Sequence, residues 1–293
     1  SCNIGVKIVT PITGMTFTED KELNQLGYGQ EYQIKYTLDP VDATASLLTW
    51  TSDNPDMISV DKTGKLKVHT TKAASAVITA SYGPVVQNVT VTVADGRFWY
   101  SLGNGLGNGL DNNWYLDGNN ASVVSSDGNK TTVQMGSGYR GDLWLARSGK
   151  GKIVNVTPAD YRYFAIKVGF KSQLVPGKNK PNGCIKLEIF DDGIKKIGPE
   201  YFGTGGDANN RYEILGASEI STTEPNVLYY DLQSKYKTVT PTDWNQVFDL
   251  VQCKFVIADF PETAQTYDLY WIRSFKSIEE LQAFVDSENN TNE

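Results

Sequence analysis

A single histidine in 293 residues removes most of the usual apparatus of acid–base and zinc chemistry before any motif is sought. His69, beside Thr70 at the end of a strand-like stretch, reads as a solvated surface imidazole. Cysteine is nearly as scarce: Cys2, Cys184 and Cys253 are too few and too scattered for a disulfide framework or a zinc site. Cys184 and Cys253 lie in apolar stretches, which suits buried free thiols, with one bridge as the alternative. No apolar run approaches the roughly eighteen residues of a membrane-spanning helix. Positive charge is not in excess either. A formal net charge of −7 and a pI near 4.9 exclude sequence-blind nucleic-acid binding, which needs a dense Lys/Arg face. There is no Gly-x-Ser-x-Gly elbow, phosphate loop or His/Cys metal spacing. A neutral partner fits this inventory.

What remains is a chain that is 40% hydrophobic and 11% aromatic, enough for real cores and long enough for two domains. Residues 1–95 read as strands throughout. Glu31 to Leu38 and Val89 to Val93 alternate apolar and polar, the mark of a half-buried strand. Asp39-Pro40, Asp53-Asn54-Pro55, the stretch from Asp61 to Gly64, and Tyr82-Gly83-Pro84 are turn signals between strands. Short strands at this spacing imply a small sandwich. Ala94-Asp95-Gly96 reads as a short hinge into a second domain, residues 96–293, with longer strands at 161–170, 184–190, 227–232, 248–260 and 267–275. Ser277 to Glu280 is a capping box. Ile278, Leu281, Phe284 and Val285 then make one apolar stripe, so a short helix should close the chain against its last strand.

The stretch Leu48-Thr-Trp50-Thr-Ser52-Asp-Asn-Pro55, Ile58-Ser-Val60-Asp61 with Gly64, and Ala76 to Ala80 with Val89 to Val93 resembles a group 2 bacterial immunoglobulin-like domain. It covers nearly all of residues 5–94 and departs at Ala74-Ser75, where the family usually carries a glycine. That resemblance implies a spacer with Trp50 in its core. The last strand, Tyr267 to Phe275, and the helix after it resemble the carbohydrate-binding-module-like domains of Bacteroidetes surface glycan-binding lipoproteins. The fold class expected is therefore all-β: an Ig-like β-sandwich, then a jelly-roll-type β-sandwich with a C-terminal helix. The resemblance further implies a monomer on the cell outer membrane, working beside an outer-membrane sugar importer. Ser1-Cys2 looks like the end of a lipobox, making Cys2 the anchor point.

Residues 97–147 carry three tryptophans among glycine, asparagine and aspartate. Such segments form loops and strand ends, where an indole can meet a ligand that is half apolar and half polar, such as a sugar. The binding candidates are Trp144, Trp99, Trp114, Tyr115, Tyr139, Arg140 and Asp142, with Trp244 in reserve. In Asp142-Leu-Trp-Leu-Ala146, Leu143 and Leu145 share one face by period two, so Trp144 should point the other way and be exposed. Each ring could equally plug the end of a sandwich. Arg140 and Arg147 flank Trp144, and an arginine fork could bond paired sugar hydroxyls or a uronate, or sit at a solvated strand end. A glycoside hydrolase is the enzymatic alternative, because two carboxylates about 5–10 Å apart suffice; its candidates are Glu188, Asp191, Asp192, Asp207 and Glu213. A structural adhesin is the third reading. The one cofactor considered is a structural calcium ion on loop residues Asp111, Asp117 and Asp207.

Overall fold

A computed structural model describes residues 8–111, 113–117, 121–136, 141–147, 149–171, 184–191, 195–196, 212–233, 244–258 and 265–290. The chain divides into two compact units, Ser1–Ala94 and Asp95–Glu293. Among the described residues both are built of strands, with two short 3-10 turns and one closing helix.

The first unit contains β1 (Gly14–Phe17), β2 (Leu26–Tyr28), β3 (Glu31–Gln33), β4 (Tyr36–Asp39), β5 (Thr49–Ser52), β6 (Ile58–Val60), β7 (Lys65–Val68), β8 (Ala74–Tyr82) and the start of β9 (Val85–Ser101). The alternating run from Glu31 to Leu38 is not one strand. Its first half, β3, pairs with β7 and its second half, β4, with β1. The chain changes sheet at Ile34, which is buried and donates its amide to the Gly64 carbonyl. Trp50 lies in the core of this unit, stacked on Phe17 with centroids 5.7 Å apart and planes 11° apart. Gly64, at φ 82°, passes directly beneath it: a Cβ there would lie 2.6 Å from the indole. Backbone and packing both demand glycine. His69 corrects the surface reading, for it is half-buried and its Nε2 lies 2.7 Å from Ser59 Oγ. Burial, aided by Lys67, holds its pKa below the ordinary value.

In the second unit β9 runs on and is followed by β10 (Tyr115–Asp117), β11 (Ser122–Ser126), β12 (Thr131–Gln134), β13 (Asp142–Ala146), β14 (Val154–Val156), β15 (Tyr163–Phe170), β16 (Cys184–Asp191), β17 (Lys195–Lys196), β18 (Glu213–Ile214), β19 (Asn226–Asp231), β20 (Phe248–Ala258), β21 (Thr266–Phe275) and α1 (Ile278–Asn290). Residues 94–96, expected as a hinge, lie inside β9. Two antiparallel sheets result. Sheet I has the order β10-β13-β20-β16-β17, with β14 also on β20; sheet II contains β18-β19-β15-β21, with β12 and the end of β9 both on β21, and β11 on β12. The sheets face one another through an aromatic core. Phe255 of β20 meets Phe164 of β15 and Tyr230 of β19, each with ring centroids 5.8 Å apart. The buried Tyr230 hydroxyl donates to the Ile185 carbonyl (2.9 Å), so its polar end is satisfied. Cys253 is a free thiol in this core, and burial pushes its pKa up to about 12.

Helix α1 covers the other face of sheet II. Ser277 Oγ accepts from the Glu280 amide (3.2 Å), while the Glu280 carboxylate reaches one residue further back than a capping box requires, to the Lys276 amide (2.7 Å). Leu281 is fully buried, and Phe284 and Val285 pack with it against Trp271, Phe275 and Ala165. Where α1 packs, the outer face of sheet II is largely apolar; further along β21 Asp268 is buried with Lys130 and Lys171 as its ion partners.

Candidate functional site

The three tryptophans of residues 97–147 go to three different layers. Trp99 sits on β9 opposite Arg273, on the helix-covered face of sheet II, 5.1 Å from Phe284 and 5.8 Å from Phe275. Trp114 is wholly buried in the core, 5.7 Å from Phe255. Trp144 lies on the outer face of sheet I. A platform shared by Trp99, Trp114 and Trp144 is therefore ruled out. The cause is elementary: Trp99 belongs to a different sheet from Trp144, and Trp114 immediately precedes Tyr115, so the two point to opposite faces.

The outer face of sheet I is where candidate residues converge. Register places Tyr115 opposite Trp144, Trp144 opposite Lys254, and Lys254 opposite Glu188. Paired residues share a face, so these four form one row across β10, β13, β20 and β16. Their neighbours Leu143 and Phe255 point into the core. A second row holds Asp117 opposite Asp142, with Lys186 opposite Val256 further along the same sheet. The Lys254 ammonium fixes the rows together: Nζ is 3.1 Å from Asp142 Oδ2, 3.0 Å from Glu188 Oε2 and 4.3 Å from the centroid of the Trp144 ring. Gln252 adds a weaker bond to Glu188 Oε2 (3.4 Å). At the β10 edge Arg147 pairs with Asp117 and lies 5.1 Å over Trp144.

Trp144 shares its face with Asp142, but it is only 8% exposed, which corrects the expectation of an open ring. Lys254 and Arg147, distant from it in sequence or outside the alternating pattern, lie over the indole. Asp142, Lys186, Glu188 and Lys254 are also less than a tenth exposed, although they occupy an outer sheet face. The face opens toward β10, where the Arg147 and Asp117 side chains are 47% and 36% exposed and Tyr115 is half-buried. Burial pushes the Tyr115 hydroxyl pKa up, Asp117 adding to the shift.

The other candidates fall elsewhere. Trp244 packs on Phe248 at 6.0 Å, roughly 20 Å along β20 from Lys254 at the usual strand rise. Tyr139, Arg140, Asp192 and Asp207 lie outside the described residues, as does the side chain of Asp191. Glu213 is exposed on β18 of sheet II, so it and Glu188 cannot face each other across a substrate. Of the proposed calcium ligands, Asp207 lies outside the described residues and the other two are already engaged. The Asp117 carboxylate is held by Arg147, and Asp111 accepts its own turn's Asn113 amide (3.1 Å) while its carbonyl takes the Lys152 ammonium (3.2 Å). No cluster of acidic, histidine or cysteine side chains suited to a metal occurs among the described residues.

Sequence reasoning missed Lys186, Glu188 as a binding group, and Lys254. The signal was present: the charges interrupt otherwise apolar runs, Lys186 and Glu188 in Cys-Ile-Lys-Leu-Glu-Ile and Lys254 in Cys-Lys-Phe-Val-Ile. Burying one charge of a pair without the other costs about 3–5 kcal/mol, so such residues occur together or not at all.

Fold and site define an all-β chain of two units, the second with an ionic and aromatic floor on one outer sheet face. Residues 105–281, more than half of the chain, match the family described as "Domain of unknown function (DUF4979)", and the protein belongs to that family. Among curated proteins no match is found. Three solved structures align distantly. One, reported as "Structural basis for the promiscuous specificity of the carbohydrate-binding modules from the beta-sandwich super family", aligns over 89% of this chain and 97% of its own, with 11% identity and a TM-score of 0.29. The M60 catalytic domain with the CBM51-1 and CBM51-2 domains of Clostridium perfringens ZmpB aligns over 90% of this chain and 23% of its own, with 11% identity and a TM-score of 0.25. The CBM51-2 and INT domains of the same protein give 88%, 47%, 12% and 0.19 in the same order. Alignments at this level carry no argument, and the site stands on its own residues.

Proposed function

We propose that this is a non-catalytic carbohydrate-binding protein whose second unit, a jelly-roll-type sandwich, takes a neutral polysaccharide or oligosaccharide on the outer face of sheet I. The observation that carries the reading is the cross-strand row Tyr115–Trp144–Lys254–Glu188. It sets the accessible Tyr115 ring, backed by the covered Trp144, beside fixed hydrogen-bonding groups, the combination that matches a sugar's apolar ring faces and polar hydroxyl rim. The first unit is an Ig-like spacer that takes no part in binding. On this reading the protein is lipid-anchored through Cys2 at the outer membrane surface, and delivers glycan to an importer as a monomer.

One observation favours a glycoside hydrolase as second reading: Asp142 and Glu188 are both buried on this face and close enough to share one ammonium. The same ammonium argues for binding, since it lies between the carboxylates, where a glycosidic oxygen would have to sit during catalysis. Affinity electrophoresis of the full chain through gels containing glucans, xylans or mannans, with a reducing-sugar assay alongside, separates the readings. Retention without sugar release is the expected result; release establishes the hydrolase, and neither outcome in any gel leaves a structural adhesin.

A further inference from the structure

Buried ion networks rarely improve folding over apolar side chains of similar volume, so stability gives no reason for Asp142, Glu188, Lys186 and Lys254 to stand on the outer face of sheet I. We infer that the Asp142–Lys254–Glu188 floor recognises the ligand and selects neutral sugars bearing adjacent hydroxyl pairs over anionic ones. The inference rests on the carbohydrate-binding reading and names the groups that would enact it.

Lys254 has three N–H donors. Two go to Asp142 Oδ2 and Glu188 Oε2, and the ammonium itself lies 4.3 Å from the centroid of the Trp144 ring. Among the described residues Glu188 accepts from both Lys254 and Gln252 through Oε2, which leaves Oε1 for a donor from outside. A carboxylate oxygen and an ammonium held side by side accept from one hydroxyl and donate to its neighbour, which is the pattern a vicinal diol presents. Because the ion network fixes both groups before binding, little ordering remains to be done when the sugar arrives. Along the row and its neighbour the charges are three against three, Asp117, Asp142 and Glu188 with Arg147, Lys186 and Lys254, and Asp249 adds a further negative charge toward the far end of β20. Arg147 at the entrance is already tied to Asp117, and a uronate or sulfate passing it would meet Glu188 and Asp142 at close range. The ligand enters from the β10 edge, where Tyr115, Asp117 and Arg147 are accessible.

The test is isothermal titration of the full chain with a neutral oligosaccharide from the polysaccharide that retains it best, and with the same backbone carrying uronate residues. Both are run at low and high salt. Wild-type affinity for the neutral sugar should change less than about twofold with salt, since no net charge is exchanged, and the uronate should bind more weakly. Glu188→Leu keeps volume and removes the acceptor, leaving Asp142 to neutralise Lys254. It should bind at least about tenfold more weakly and melt at a lower temperature, because one of the two carboxylates around a buried ammonium is gone, and Glu188→Gln should recover part of the lost affinity. A folded Glu188→Leu protein with wild-type affinity overturns the inference. Tighter, salt-sensitive uronate binding by the wild type overturns it too, and that measurement decides the matter should the variant not fold. A wild type that binds no glycan at all brings down the functional reading itself, a result distinct from binding that ignores Glu188.

Discussion

At the scale of the residue, context decides what a polar group does, and Asp20 shows this as clearly as Lys254. Its carboxylate accepts from the Tyr32 hydroxyl, the Glu22 amide and Lys35. The Tyr32 bond is the largest cause of a pKa lowered to about 2. A depressed carboxylate pKa stabilises the folded state above the ordinary value of 3.8, and that contribution is lost as pH falls toward 2. Tyr32→Phe should therefore bring the Asp20 titration back toward the ordinary range and start the acid loss of stability at higher pH. An NMR titration of the Asp20 carboxyl in both proteins checks this, and an unmoved midpoint would assign the shift to Glu22 and Lys35 instead. Lys254 lies at the other extreme, buried, where removing one partner exposes the full cost of an uncompensated charge. The direction in which Trp144 points is legible from Leu143 and Leu145 alone. Its burial is not, because Lys254 is brought beside it only by the pairing of β13 with β20.

At the scale of the element, the strands and the helix follow from local pattern far better than the site does. The strands expected around 161–170, 184–190 and 267–275 become β15, β16 and β21; β15 and β21 are buried nearly throughout, so a continuous apolar run bounded by turn residues marks them rather than alternation. Glu31 to Leu38 alternates and is still not one strand, because a strand that changes sheet keeps its alternation while exchanging partners at Ile34. Grouping the tryptophans by nearness in sequence fails for a related reason: adjacent residues of one strand diverge, and consecutive strands here belong to different sheets. Helix α1 makes its own prediction. Phe284 touches Trp99 (5.1 Å), Trp271 (5.6 Å) and Phe275 (5.7 Å), and the Arg273 guanidinium lies 4.2 Å from its centroid. Burial lowers the Arg273 pKa, and its Nε has no hydrogen-bond partner among the described residues, so the rings around it are its main compensation. Phe284→Ala should cost about 2–4 kcal/mol, at or below the range for a fully buried phenylalanine. It should also red-shift tryptophan fluorescence as Trp99 and Trp271 meet water. Glycan retention should stay intact, because sheet I is untouched; loss of retention in a folded variant would place the site under the helix instead.

At the scale of the whole molecule, the two units differ in what they leave to do. The core of the first is closed around Trp50 and drawn entirely from residues 12–93, and its strands carry nothing comparable to the floor on sheet I. The second unit keeps its own boundary elements: Thr157 Oγ1 donates to the Asp95 carbonyl (2.8 Å), and the Phe98 amide donates to Ser274 Oγ (2.8 Å). A chain beginning at Asp95 therefore retains the end of β9, both sheets and the helix. It loses only the strands and core that belong to the first unit. If that unit is a spacer, residues 95–293 should bind the same glycan within about twofold of the full chain's affinity, a difference of less than about 0.5 kcal/mol. Residues 8–94 alone should show no retention in any gel. Circular dichroism and a cooperative melt establish that each piece is folded before its binding is judged. A folded 95–293 fragment that fails to bind while the full chain succeeds would make the first unit part of the site, and the spacer reading would fall.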